Sequence, residues 1–315
     1  MKAAIINQFG EADELHLMEV PKPKINENQV LLKIVAIGIN PVDTKVRAGT
    51  SGMSKYVQFP AILGWDVSGI IESIGKNVVG FNIGDAVFGC IGFPGPGKGY
   101  AEYAAADPHM LAKKPGNISF EEAAAVPIPG LTAYQAINEH LKVSSGQKIL
   151  IQAAAGGVGH LAVQFAKMNG AYVIGTASDK NEKFLKSLGV DQFIDYKKNN
   201  FEKIVSGLDA VLDAMGGDVL YRSVSCVKPG GTAVCLPSYT KDDPKAIELA
   251  KKYEVKLTWP MMYTDSKQIN TIAELLEQKK IKVFIDKIFF LDQVAWAHKA
   301  VETHGTKGKV VVKVN

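Results

Sequence analysis

Cysteine is scarce in this chain. Cys90, Cys226 and Cys235 are the only three in 315 residues, odd in number and far apart. Such a set does not make a disulfide framework, and no two of the three form a Cys-x-x-Cys pair. Small core residues in a reducing, cytoplasmic setting are the expectation. Long apolar runs are also missing. No segment approaches the ~18 uninterrupted apolar residues of a membrane span. Residues 1–9 carry neither the apolar run nor the small-residue cleavage site of a signal peptide. Charge of one sign is lacking as well. The formal net charge is +4, from 36 basic and 32 acidic residues. The lysines are scattered, which argues against a nucleic-acid partner. The six histidines, at 16, 109, 140, 160, 298 and 304, show no metal-ligand spacing. No internal repeat or low-complexity tract is visible.

What is present is a change of texture. The length predicts two domains. Up to Ser119 the chain reads as short strands, at 30–36, 69–74 and 86–90, punctuated by turns such as Gly75-Lys76-Asn77 and Phe93-Pro94-Gly95-Pro96-Gly97. That pattern predicts a small β-barrel. Ser119-Phe120-Glu121-Glu122 then looks like a capped helix start. From Lys148 strands and helices alternate: strands at 148–153, 171–176, 192–195, 208–213 and 232–236, helices at 160–169 and 181–188. The rhythm predicts a parallel, doubly wound sheet. After Trp259-Pro260 come helices at 265–278 and 292–302 and a terminal strand at 309–314, a tail expected to return to the first domain.

The sharpest local motif is Gln152-Ala153-Ala154-Ala155-Gly156-Gly157-Val158-Gly159, at a strand-to-helix junction. A dinucleotide pyrophosphate needs close backbone approach, free N–H groups and the positive end of a helix dipole. Ala155, Gly156, Gly157 and Val158 are the candidates to line it. The strict G-x-G-x-x-G pattern would start at position 154, where this chain has Ala. NAD-binding units carry an acid at the end of the second strand; here that position is Ala177. Ser178, Lys180 and Asn181 suit a 2′-phosphate instead, so NADPH is expected over NADH. Asp179 would repel that phosphate if it pointed inward, and is better read as a solvated cap for the next helix.

Several motifs in order resemble the quinone oxidoreductase branch of the medium-chain dehydrogenase/reductase superfamily, with its zeta-crystallin-like proteins and enone reductases. They are Gly38-Ile39-Asn40-Pro41-Val42-Asp43-Thr44-Lys45, Gly64-Trp65-Asp66-Val67-Ser68-Gly69, Gly84-Asp85-Ala86-Val87, Gly130-Leu131-Thr132-Ala133-Tyr134, the 153–159 turn, Ser187-Leu188-Gly189-Val190-Asp191, Ile194-Asp195-Tyr196 and Gly308-Lys309-Val310-Val311. The resemblance implies an α/β protein: a GroES-like β-barrel domain over 1–121 and 262–315, and a Rossmann doubly wound parallel-sheet domain over 122–261. In the family the active site lies in the cleft between the two, and dimers through the Rossmann sheet edge are common, so a homodimer is expected. Zinc relatives hold a metal with Cys, His and Cys. Here Asn40, Trp65 and a position near Ile128 stand there, and the four-cysteine lobe is absent, so no metal is expected.

Without a Lewis acid, the acceptor must already be electrophilic, which implies a quinone or an α,β-unsaturated carbonyl reduced by hydride transfer. The resemblance makes Asn40 and Lys45 candidate hydrogen-bond donors to the substrate oxygen or the nicotinamide, with Asp43 bracing their loop. Tyr56 and Trp65 are candidate walls for a planar substrate. No Ser-Tyr-Lys set is visible, and water is the expected proton source. Thr132 is placed near the nicotinamide, Leu236, Pro237 and Ser238 beneath it, and Tyr196 near the adenosine phosphate; Lys309, or Lys307 beside it, reaches the cofactor from the tail. Two alternatives stay open at this stage: an enoyl-thioester reductase, or an NADPH-binding protein with a structural or RNA-binding role.

Overall fold

The strand Val30–Ile39 organises the first half of the chain. It is almost wholly buried, as an apolar run flanked on both edges must be. On one edge it pairs antiparallel with Asp66–Ile74, Gly38 opposite Asp66. On the other it pairs with Tyr103–Ala106 along residues 30–33, then with Lys309–Lys313 along residues 36–39. Ala86–Cys90 and Leu111–Lys113 extend the sheet on the Asp66–Ile74 side, and Ile285–Phe290 extends it beyond Lys309–Lys313. The last two strands run parallel, and the helix Val294–Glu302 makes the crossover that parallel pairing needs. A smaller antiparallel sheet centres on Lys2–Ile6, between His16–Glu19 and Ala61–Ile62. The tail thus returns to the β-rich part, Lys309–Lys313 pairing with Val30–Ile39.

The computed structural model describes residues 1–314. They divide into two compact units, one of residues 1–131 with the segment from 263 onward, the other of 132–262. The first boundary lies at Leu131, beyond the position 121 expected from the sequence. The helix Phe120–Ala124 packs on Val30–Ile39, Asp66–Ile74, Ala86–Cys90 and Lys309–Lys313, so it belongs with the strands. Its start is capped as predicted: Glu122 N donates to Ser119 Oγ at 3.1 Å and Ser119 N to Glu122 Oε2 at 2.8 Å.

The second unit is a six-stranded parallel sheet. Its order is Gln192–Asp195, Tyr172–Ala177, Lys148–Ile151, Leu208–Asp213, Val227–Cys235, Lys256–Thr258. Numbered along the chain this is 3-2-1-4-5-6, the doubly wound order in which the winding reverses between strands one and four. Helices fill the crossovers, among them Gly159–Met168, eight of whose residues are buried. Beneath them a core of Leu150, Ile174, Val211, Leu220, Val224 and their neighbours is closed to solvent. Ligands of such sheets sit outside the carboxyl ends of the strands at the reversal, so Gln152 and Asp213 mark the place to look.

Candidate active site

In the second unit, Lys148–Ile151 ends in the turn 152–158 and hands over to Gly159–Met168. The turn is held from below by a chain of buried polar groups. Gln152 Oε1 accepts the Thr176 hydroxyl at 2.6 Å, and its Nε2 donates to Ser223 Oγ at 3.0 Å. Ser223 Oγ donates to Asp213 Oδ2 at 3.3 Å, while Asp213 Oδ1 accepts Met215 N and Gly216 N. Burial raises the Asp213 carboxyl above its ordinary range, against those bonds. Ala153 takes φ +51°, a left-handed conformation rare outside glycine, and the network holds it there. A Cβ on Gly159 would lie 2.3 Å from Ala153 O and 2.7 Å from Ala154 Cα. Only glycine lets this helix start so close to the strand end, the approach a pyrophosphate cradle requires. Ala154, where the strict pattern has glycine, is accommodated from across the sheet: a Cβ on Gly175 would lie 3.1 Å from the Ala154 methyl.

The ends of strands two and three leave the sheet together, since Ala177 pairs with Asp195. Ser178 and Asn181 are buried there, while Lys180 and Tyr196 are exposed. Asp179 Oδ1 accepts the backbone N–H of Lys180 at 2.7 Å. Its carboxylate pairs with Lys198 Nζ at 2.8 Å, and that bond holds it below the usual carboxylate range. Lys198 is thus a member of this rim that the sequence reading passed over. Leu236 follows the fifth strand, its N–H donating to Asp213 O, and Ser238 is exposed in the turn beyond. Thr132 is half-buried in the helix Pro127–Gln135.

The first unit brings together a different set. Asn40 follows Val30–Ile39 and precedes the helix Pro41–Arg47. The register Val310 to Ile39 sets Lys309 beside it, and Asp66 arrives from the opposite neighbouring strand. Lys309 Nζ donates to Asn40 Oδ1 and to Ile39 O. Asn40 Nδ2 donates to Asp66 Oδ2 at 2.8 Å, and Ile128 N donates to Asp66 Oδ1 at 2.8 Å. Lys309 Nζ lies 4.0 Å from Asp66 Oδ2. Asn40 N donates to Asp43 Oδ2 at 2.6 Å, and the Tyr100 hydroxyl, beside Asp43, is 2.8 Å from His298 Nε2. All of these side chains are buried. Burial pushes Asp66 up to about 6 and Asp43 up to about 7, against the pull of Lys309 and the Asn40 bonds. Burial lowers Lys309, which the two carboxylates partly restore.

The profile of the alcohol dehydrogenase GroES-like domain matches residues 26–116, and that of the zinc-binding dehydrogenases matches 188–312. A 2-methylene-furan-3-one reductase of Solanum lycopersicum is 36% identical over 99% of this chain and 79% of its own. A chloroplastic NADPH-dependent alkenal/one oxidoreductase of Arabidopsis thaliana is 33% identical over 99% of this chain and 79% of its own. The solved quinone oxidoreductase of Coxiella burnetii superposes with a TM-score of 0.95 at 39% identity, covering 100% of this chain and 99% of that one. The chain belongs to the quinone oxidoreductase branch of the medium-chain dehydrogenase/reductase superfamily. It is therefore an oxidoreductase, built of a GroES-like domain and a Rossmann-type domain.

Within that family frame the expected residues fall in distinct places. Lys309, expected to reach the cofactor, directs its amine inward to Asn40 and Ile39 and is 3% exposed. Trp65 is not a pocket wall: its ring is buried, and its Nε1 donates to Gly95 O at 2.7 Å, anchoring the proline-rich loop. Tyr56 is 44% exposed in the turn Gly52–Tyr56. Lys45 is half-buried on the helix after Asn40, and burial lowers its pKa. At the positions where zinc relatives carry ligands, Asn40 and the backbone of Ile128 are tied together by one carboxylate, Asp66. Among the described residues no group of three or more His, Cys, Asp or Glu is arranged to hold a metal ion. Nor is any described helix long and apolar enough to cross a membrane.

Proposed function

We propose that this protein is an NADPH-dependent, zinc-independent reductase of quinones and α,β-unsaturated carbonyls. The observation that carries the reading is the Asn40 amide, held by Lys309 on its oxygen and Asp66 on its nitrogen, with one N–H left for a ligand. Bound NADPH supplies the hydride. Ala155, Gly156, Gly157 and Val158, with Leu236 and Ser238, would hold the dinucleotide, with Thr132 serving its nicotinamide end. Ser178, Lys180, Asn181 and Tyr196 receive the 2′-phosphate, with no acid in position 177 to prefer a free ribose hydroxyl.

When hydride adds to a conjugated carbonyl, charge collects on its oxygen. Asn40 donates a hydrogen bond to that oxygen, and such a preorganised donor acts most strongly where water is excluded. Lys45, half-buried on the helix after Asn40, sets a cation near the same atom. Tyr56 offers an aromatic face to a planar acceptor. The relatives, a 2-methylene-furan-3-one reductase, an alkenal/one oxidoreductase and a quinone oxidoreductase, support this acceptor class. The test is NADPH consumption, followed by absorbance, with 9,10-phenanthrenequinone and with a 2-alkenal. Turnover in at least one assay, undiminished by chelator, is expected. Tight NADPH binding without turnover would sink the enzymatic reading, and stoichiometric zinc with loss of activity on chelation would sink its zinc-free part. Lys256–Thr258 ends the parallel sheet, and a homodimer is expected in light scattering.

A further inference from the structure

Asn40 occupies a helix N-cap position, where an asparagine side chain ordinarily accepts a bond from the first helical turn. Here Asp43 N donates to the Asn40 main-chain O at 3.0 Å, and Asn40 N donates to Asp43 Oδ2 at 2.6 Å, the reciprocal arm of a capping box. The Asn40 side-chain oxygen receives the Lys309 ammonium and its side-chain nitrogen faces the Asp66 carboxylate. Turning the amide over would set its –NH2 against an ammonium and its oxygen against a carboxylate, so the two charges fix one orientation. An amide nitrogen carries two hydrogens. Asp66 takes one, and the other remains. A cation on the amide oxygen also withdraws electron density from the nitrogen, which strengthens the remaining N–H as a donor. Lys309 itself is buried, its Nζ bonded to Ile39 O and Asn40 Oδ1 and 4.0 Å from Asp66 Oδ2.

We propose that Lys309 is a positioning residue: its ammonium orients and polarises Asn40 so that the free N–H of Asn40 serves the oxygen of the reduced carbonyl, while Lys309 touches neither substrate nor dinucleotide. This rests on the reductase reading above. The charged and titratable groups facing the site are Lys309, Asp66, Asp43, Tyr100 and Cys90, with Arg47 and His298 beyond Tyr100 and Lys45 on the helix after Asn40. Lys309 is the cation that favours the ionised forms of both aspartates.

The test is Lys309→Met, close in volume and without charge. Its kcat with 9,10-phenanthrenequinone is expected to fall about 10–100-fold, somewhat less than the loss of a direct donor. NADPH affinity, measured by fluorescence titration, stays within about 3-fold, since Lys309 does not touch the cofactor. With the cation gone, burial raises Asp66 and Asp43 further, and the acid limb of the kcat profile moves to higher pH. A merely structural role would lower activity without moving that limb. Asp66→Asn keeps the shape and removes the charge that holds the amide; it is expected to lower kcat comparably, and it decides the matter if Lys309→Met does not fold. Wild-type kcat in either folded variant overturns the proposal. So does a fall in kcat with the acid limb unmoved in Lys309→Met, or a loss of NADPH affinity greater than about tenfold with kcat retained. A wild-type protein that reduces neither the quinone nor the alkenal sinks the reductase reading instead, which keeps the two failures apart.

Discussion

Each unit has a strand that ends and hands over to a helix, and the two junctions are made of opposite materials. After Lys148–Ile151 the turn is backbone: Ala153 in a left-handed conformation, Gly159 pressed to the strand end, and a network of Gln152, Thr176 and Ser223 underneath that ends on the buried Asp213 carboxyl. After Val30–Ile39 the junction is side chain and charge: Asn40 clasped by a buried ammonium and a buried carboxylate. The difference follows from the tasks proposed for them. A pyrophosphate arrives with its own charge and needs only N–H groups and room, so side chains are in the way. A carbonyl oxygen gains charge only while it reacts, so its donor must be fixed beforehand by groups that do not move.

The largest expected effects come from crossing these materials. Asn40→Ala removes the proposed donor and is expected to lower kcat by about 100–1,000-fold, the range seen for a single oxyanion donor. NADPH affinity is expected to change far less. Steady-state kinetics beside a fluorescence titration gives both numbers, and unchanged turnover would remove Asn40 from the chemistry. Gly159→Ala should show the reverse. Its Cβ would lie 2.3 Å from Ala153 O, so the helix start or the turn must shift. Overpacking of this kind costs about 1–3 kcal/mol. If the strain is expressed in the cradle, NADPH binding weakens about 5–150-fold at that cost. Equal loss of affinity in both variants would erase the distinction between the junctions.

The glycine turn was legible in the sequence because its constraint is local: a backbone that must come close excludes Cβ atoms within a few residues. Asn40 was legible as a residue but not as a site, for its partners lie 26 and 269 positions away. Asp66 and Lys309 meet there only through strand register, which a one-residue slip would reverse. That is why the family resemblance sends Lys309 to the cofactor, and nothing in the sequence sends it to Asn40. The same limit applies to Trp65, whose burial against the 93–97 loop depends on a return of the chain. The central strands announced themselves as apolar runs. Ile285–Phe290 did not, because it is an edge strand with Ile288 and Phe290 exposed.

The smallest effect belongs to the rim of the second unit, and it separates the dinucleotides without touching turnover. Lys198 was hidden from a linear reading because only the parallel pairing of Ala177 with Asp195 carries it to Asp179. Its ammonium neutralises that carboxylate, which would otherwise stand beside a 2′-phosphate. Lys198→Ala removes one cation and uncovers two anions, Asp179 at 2.8 Å and Asp195 at 3.6 Å from its Nζ. Lys198 and Asp179 are exposed, so the effect is screened, and NADPH affinity is expected to fall only about 2–5-fold at low salt. The loss should shrink as ionic strength rises and the Debye length drops below about 10 Å. NADH carries no 2′-phosphate, so its affinity should hold, and kcat should be unchanged with either cofactor. Titrating both dinucleotides at two salt concentrations checks this. An equal loss for NADH would mean that Lys198 supports the fold of the rim rather than the reading of a phosphate.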